Sequence, residues 1–332
     1  MVLIREFYIR EFRGIRETKE PIHLSQFNVL IGKNNSGKSA ILEALSLFPV
    51  PFRGYSIPFI GNSRLEFISK LHGGFDSLIY GYSGMAEIRF TLDNAKVTYR
   101  IDDHGNVFAT TNGEELREED YLRRIASLFE LETDKDYVGK LSSLVAFIPN
   151  DTRFIRSLSG SIISAWNFIM KSGANVRIVR NLISKVVHDE FTELFLGAER
   201  TLMLRKELPN DKIFWIKVAD IGDGIERALI TVLYLEALQP KLVLWDDFEA
   251  SAHPGLIEIL IEWLTSKDWQ VVISTHSIDV LDIITKIAPE DTSILMLKND
   301  NYDRLSMRRW NVDELADAFE SNVDIRSLFD LI

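Results

Sequence analysis

The hydrophobic positions fall into three patterns, each predicting a different kind of element. Largely apolar runs at Lys241–Trp245, Trp269–Ser274 and Thr292–Leu297, alternating with helical stretches from residue 224 onward, predict strands buried on both faces. Such strands favour a parallel sheet covered by helices. Near the start, Leu3–Ile9 and Phe27–Ile31 are rich in β-formers, and the second run ends directly at Gly32. Shorter runs at Ala86–Leu92, Lys96–Ile101 and Val107–Thr111, parted by Asp93-Asn94 and Asp103-His104-Gly105, predict antiparallel strands joined by turns.

The remaining periodicity is helical. Ser36–Leu47 places Ile41, Leu42, Leu45 and Leu47 toward a core. Residues 49–84 read as loop with short helices, and Glu114 to about Phe195 as mostly helical, with one strand at Ser143–Ile148. Phe154–Ser172 and Val176–Leu196 are its amphipathic stretches, and two strands return at Thr201–Glu207 and Lys212–Val218 around Pro209-Asn210-Asp211. The expected organisation is 1–112, an N-terminal head part; 113–200, a helical lobe; and 201–332, a C-terminal head part.

Composition narrows the chemistry. Among 332 residues there is no cysteine, which removes disulfides, thiolate metal sites and a cysteine nucleophile. The net charge of −11 is uneven: +4 over 1–100, −6 over 101–150, +3 over 151–214 and −12 over 215–332. That balance argues against a surface coated with nucleic acid but leaves room for a local basic patch. No secretion signal and no spanning apolar run are expected, so the chain reads as cytoplasmic.

Gly32-Lys33-Asn34-Asn35-Ser36-Gly37-Lys38-Ser39 fills every position of a phosphate loop, between a strand and a helix. Glycines let backbone N–H groups cradle phosphate oxygens at the positive end of the helix; Lys38 reaches the β- and γ-phosphates and Ser39 holds Mg²⁺. Ala40 follows at the same helix start. Leu242–Trp245 ends in Asp246-Asp247-Phe248-Glu249, the form of the second motif of such proteins. Asp246 takes the Mg²⁺ side, Asp247 orients or deprotonates water, and Glu249 is a further candidate on the loop. His276 follows the next strand, where α/β sheets place ligand groups, and is read as a γ-phosphate contact.

In this order the motifs resemble the ABC-type ATPase superfamily, in its OLD/RecF/SMC-like branch. They are most similar to the stand-alone AAA-type (AAA_15 and AAA_21) ATPases of the OLD group. Phe12-Arg13-Gly14-Ile15 with the phosphate loop through Leu45, Ile221–Arg227, and Leu242 through Ser277 carry the resemblance. It covers roughly 100 residues at the two ends. It implies an α/β P-loop head, with a mixed sheet, an antiparallel subdomain and a helical insertion lobe. Arg13 is counted with the nucleotide-binding residues. Gly222-Asp223-Gly224 would be the signature segment reaching the γ-phosphate on a second subunit, so that two ATPs are sandwiched in a head-to-tail homodimer. His276 would be the switch histidine.

There are departures from the family pattern. Asp247 replaces glutamate, Phe248 replaces proline, and Gly222 stands where many relatives have serine. Gln26, Gln239 and Gln270 are the only glutamines, none placed as a Q-loop residue. No heptad arm interrupts the chain. The 56 residues after His276 are too few for the TOPRIM nuclease of full OLD proteins. The leading expectation is an Mg²⁺-dependent ATPase switch serving DNA repair, DNA maintenance or antiphage defence. The alternative is a nucleotide-gated module with negligible turnover controlling a partner nuclease or effector. Arg153, Arg156, Lys171, Arg177, Arg180 and Lys185 form either a solvated helix face or a DNA-backbone contact.

Overall fold

The computed structural model describes residues 2–52, 63–184, 191–197, 201–208, 212–250, 253–326 and 328. Lys185, Ser251, Ala252, the expected turn 209–211 and the side chain of Asp223 lie outside the described residues.

The strands in chain order are β1 (Glu6–Phe12), β2 (Ile15–Thr18), β3 (Ile22–His23), β4 (Phe27–Gly32), β5 (Met85–Thr91), β6 (Lys96–Asp102), β7 (Val107–Thr111), β8 (Glu114–Leu116), β9 (Val145–Ile148), β10 (Phe191–Leu196), β11 (Leu202–Leu208), β12 (Lys212–Lys217), β13 (Leu242–Trp245), β14 (Gln270–Thr275), β15 (Thr292–Asn299) and β16 (Arg304–Trp310). The helices are α1 (Lys38–Ser46), α2 (Arg64–His72), α3 (Glu118–Leu128), α4 (Tyr137–Ser143), α5 (Thr152–Ser172), α6 (Ala174–Ile178), α7 (Asp223–Leu238), α8 (Pro254–Thr265), α9 (Ile278–Ile287) and α10 (Val312–Glu320).

One mixed sheet runs β8-β7-β6-β5-β1-β2-β16-β15-β4-β14-β13-β9, with β3 beside β1. Its β15-β4-β14-β13-β9 half is parallel, and β4, β9, β13 and β14 are buried along their whole length, as their apolar runs predict. The β5–β8 end is antiparallel. All the parallel strands point their carboxyl ends the same way, so the loops after β4, β9, β13 and β14 converge on one edge.

Buried polar side chains pin this register. Gln270 accepts from the amides of Leu3 and Ile4 at 3.0 Å each and donates to Ile4 O and Ser25 O at 2.9 and 3.1 Å. Asn28 accepts from Ser25 N and donates to Ser25 O and Val271 O. Arg64 is fully buried and donates to Ser46 O, Ser142 O and Val145 O, tying α1 and α4 to β9. Burial pulls its guanidinium below the usual range.

The middle of the chain departs from the helical expectation at two places: Glu114–Leu116 is β8, the edge strand beside β7, and Phe191–Leu196 is a strand as well. α5 buries Phe154, Leu158, Ile162, Ala165, Trp166 and Ile169 on one face, begins on the side-chain cap Asp151 and ends at Gly173 in the left-handed conformation. Phe191–Leu196, however, is not the end of an amphipathic helix. It is β10, antiparallel to β11 in a separate sheet β10-β11-β12. Alternation and helical period cannot be told apart in so short an apolar run, and pairing with β11 decides. β9 also lies inside 113–200, yet it pairs with β13 in the large sheet.

Candidate functional site

The phosphate loop folds around two glycines. A Cβ on Gly32 would stand 2.2 Å from Ser36 Oγ and 2.9 Å from Leu297 O, so only glycine lets the loop close there. Gly37 takes φ 97°, a left-handed conformation that glycine adopts without steric cost, and it leads into α1. Asn35 also has positive φ, at 64°. The loop lines a cavity of about 320 Å³ with Arg13, Gly14, Asn34, Asn35, Ser36, Gly37, Lys38, Ser39 and Ala40, and with Asp247, His276 and Asn299 across it. Lys33 takes part through its carbonyl, which accepts from Ser36 N at 3.1 Å.

Lys38 is buried and its ammonium rests on the loop itself, 2.9 Å from Gly32 O and 3.3 Å from Lys33 O. Burial lowers its proton affinity, opposed by the charges of Asp247, Asp246 and Glu249. A cation parked on carbonyls beside three carboxylates is set to exchange those weak acceptors for phosphate oxygens.

The acids sit at the end of β13. Asp246 is buried and accepts from Ser274 Oγ at 2.6 Å, and the Ser39 hydroxyl bonds it as well. Burial pushes its carboxyl above the ordinary range. A desolvated carboxylate joined to a hydroxyl at a helix start fits Mg²⁺, which takes few protein oxygens and completes its shell with water and phosphate. Among the described residues no three histidine or acidic side chains cluster as a closed metal cage.

Asp247 has a left-handed backbone and three side-chain neighbours around it. Its φ is 44°, its amide donates to Ser274 Oγ at 2.8 Å, its Oδ2 accepts from Asn150 Nδ2 at 2.7 Å, and its Oδ1 lies 3.7 Å from His276 Nε2. Positive φ in a non-glycine residue is costly and persists where surroundings fix it. His276 is fixed in turn: its amide donates to Glu249 Oε1 at 2.7 Å and its carbonyl accepts from Arg326 at 3.0 Å. Glu249 therefore works on the backbone of His276 and does not line the cavity.

Residues 27–282 match a family model described as "AAA domain, putative AbiEii toxin, Type IV TA system". The chain belongs to this AAA-domain family. Two curated proteins of Methanocaldococcus jannaschii are similar to it, both named as uncharacterized. MJECL10 is 49% identical over 55 residues, 17% of this chain and 25% of that protein. MJECL11 is 29% identical over 112 residues, 32% of this chain and 91% of that protein. The chain thus matches only a quarter of the length of the first relative. Among solved structures, the SMC head domain from Pyrococcus furiosus bound to the C-terminal domain of ScpA aligns with TM-score 0.61 at 13% identity, over 97% of this chain and all of that one. An SMC head bound to the C-winged helix domain of ScpA gives 0.63 at 15%, over 95% and 100%. The Thermotoga maritima SMC head domain gives 0.55 at 16%, over 93% and 100%. These likenesses establish an ABC-type P-loop head fold of the RecF/SMC-like type.

In this AAA-domain chain the segment expected to be the signature, Gly222-Asp223-Gly224, does not line the cavity. Gly222 is exposed with φ 129°, caps α7 without a side-chain bond, and has open space where a Cβ would project. Gly224 lies with Asn150, Asp247 and Arg227 around a smaller pocket behind the acids.

Of the basic residues in the middle, Arg177 is committed to buried Glu236 at 2.7 Å, which Lys267 also bonds at 2.6 Å. Arg153 pairs with Asp151. Arg156, Lys171 and Arg180 are exposed. The three glutamines stand away from the cavity: Gln26 bonds Trp269 O, and Gln239 closes α7 in a left-handed cap.

The motifs alone did not reveal Asn150, Ser274, Asn299, Glu43 or His72. Asn150 follows β9 and Ser274 is the last residue but one of β14, and the parallel order of the sheet could have flagged both. Nothing local marks the others.

Proposed function

We propose that the chain is an Mg²⁺-dependent ATPase whose ATP-bound form is a head-to-tail homodimer, a switch in DNA repair, DNA maintenance or antiphage defence in the cytoplasm. One observation carries the reading: Lys38, Asp247 and His276 face one cavity, with Asp246 and Ser39 joined beneath it. Backbone amides of 34–39 and Lys38 bind the phosphates. Ser39 and Asp246 hold Mg²⁺, which when bound neutralises charge on the β- and γ-phosphate oxygens. Asp247 orients a water and takes its proton, and His276 holds the γ-phosphate side. The N-terminus of α7, which has no side-chain cap, presents backbone N–H groups suited to the γ-phosphate of a second copy. Loss of that phosphate then releases the dimer. The head is formed by 1–112 and 201–332, with the helices of 113–200 as its lobe.

The test is ATP turnover and size-exclusion chromatography with and without ATP. Wild type is expected to turn over and to shift to a dimer, and Lys38→Ala to do neither. Identical behaviour of the two proteins would overturn the reading.

Asp247 favours a second reading, a nucleotide-gated module with little turnover that controls a partner nuclease or effector. Its carboxylate is one methylene short, which displaces it by roughly 1 Å, and such a shift costs on the order of a hundredfold in rate. Turnover in wild type that Asp247→Asn abolishes excludes this reading. Silent wild type that gains turnover as Asp247→Glu supports it.

A further inference from the structure

Beside the cavity Arg13 meets two side chains with no role so far, Glu43 and His72. Arg13 occupies the turn between β1 and β2 at φ 53°, with its amide donating to Leu78 O at 2.9 Å. Its Nη1 bonds Glu43 Oε2 and also meets His72 Nε2, while His72 Nε2 lies 2.8 Å from Glu43 Oε1. Glu43 lies one turn after Ser39 on the same face of α1, and His72 ends α2. Three elements thus meet on one carboxylate.

Two facts give the cluster direction. The Glu43 side chain is only 4% exposed, and a carboxylate so buried is tolerated only when paired. Arg13 is held through Nη1 alone, and among the described residues no hydrogen bond engages its Nε or Nη2. An arginine given up wholly to a carboxylate would use two nitrogens, in the bidentate form. Arg13 lines both the phosphate-loop cavity and the adjoining one, of about 450 Å³, walled by His72, Tyr80 and Tyr82. His72 Nε2 faces a donor and an acceptor together. It closes the triangle in either tautomer, donating to Glu43 or accepting from Arg13.

We propose that Glu43, supported by His72, is a positioning residue that holds the Arg13 guanidinium by one nitrogen, so that Nε and Nη2 meet the phosphate oxygens of a bound nucleoside triphosphate. This rests on the nucleotide-binding reading above. The test is equilibrium binding of Mg·ATP, with steady-state turnover, for Arg13→Ala, Glu43→Gln, His72→Gln, the double variant Arg13→Ala/Glu43→Gln, and Lys38→Ala. Arg13→Ala is expected to weaken binding about tenfold, the scale of one charged hydrogen bond. Glu43→Gln is expected to weaken it about fivefold while kcat at saturating ATP stays within about twofold. The double variant should be no worse than Arg13→Ala, because coupled residues are not additive. If Glu43→Gln does not fold, His72→Gln carries the test, with a loss of about threefold that vanishes in the Arg13→Ala background. Unchanged or tighter binding in Glu43→Gln or, in its place, His72→Gln, or an additive double variant, overturns the proposal. So does an Arg13→Ala that binds normally while Lys38→Ala does not. If Lys38→Ala also binds as wild type, the nucleotide reading itself fails, and the proposal with it.

Discussion

Asp246 shows what a single residue costs the fold so that it can serve the site. Its carboxyl has a raised pKa because burial penalises the charge more than the Ser274 and Ser39 hydroxyls relieve it. For an acid raised above its unfolded value, the ionised folded form is disfavoured at neutral pH. The metal-free protein therefore gains stability as pH falls through the raised value toward 3.8, the unfolded value. Asp246→Asn should accordingly raise the Tm measured without Mg²⁺ at pH 7, remove any further stabilisation by Mg²⁺, and abolish turnover. A lower Tm in that variant would show that the two hydroxyl bonds outweigh burial. The candidate roles of Lys38, Asp246 and Asp247 were legible because their spacing is local to one loop each. Those of Asn150 and Ser274 were not, since each depends on which strand end lies beside β13.

At the scale of elements, strand type followed from burial pattern, and the parallel strands β13, β14 and β15 emerged close to their expected bounds. The failure at Phe191–Leu196 has a physical cause: six residues span too few turns for a helical period to differ from alternation, and β11 supplies the hydrogen bonds. α7 offers the clearest test of an element acting outside its own subunit. Among the described residues nothing lies within 4 Å of a Cβ placed on Gly222, so a side chain starts there into open space. Its φ of 129° adds some strain for any other residue. Gly222→Arg should bind ATP within about twofold of wild type, the scale of an unperturbed site, yet fail to form the ATP-dependent dimer in size-exclusion chromatography. A normal dimer in that variant would remove α7 from the interface.

For the whole molecule, charge is distributed rather than summed. The −12 of 215–332 falls on the segment that holds Asp246 and Asp247, while 151–214 carries +3. The fold changes what that positive segment means, because Arg177 is bound to Glu236 and Arg153 to Asp151. Among the described residues Arg156, Lys171 and Arg180 are exposed and stay candidates for phosphate contact. If they touch DNA backbone, Arg156→Ala with Arg180→Ala should weaken binding uniformly across sequences and lower the salt slope by about two. DNA-free turnover should not change. An unaltered salt slope would leave them as a solvated face. The sequence by itself determined the phosphate loop, the acidic strand end and the strands that carry them, since each depends on spacing within a few residues and on local burial pattern. Tertiary structure alone decided that β9 brings Asn150 to Asp247, that Glu43 and His72 close on Arg13, and that residues 191–196 form a strand. Each of those rests on a contact between segments far apart in the chain, and no local pattern encodes the partner.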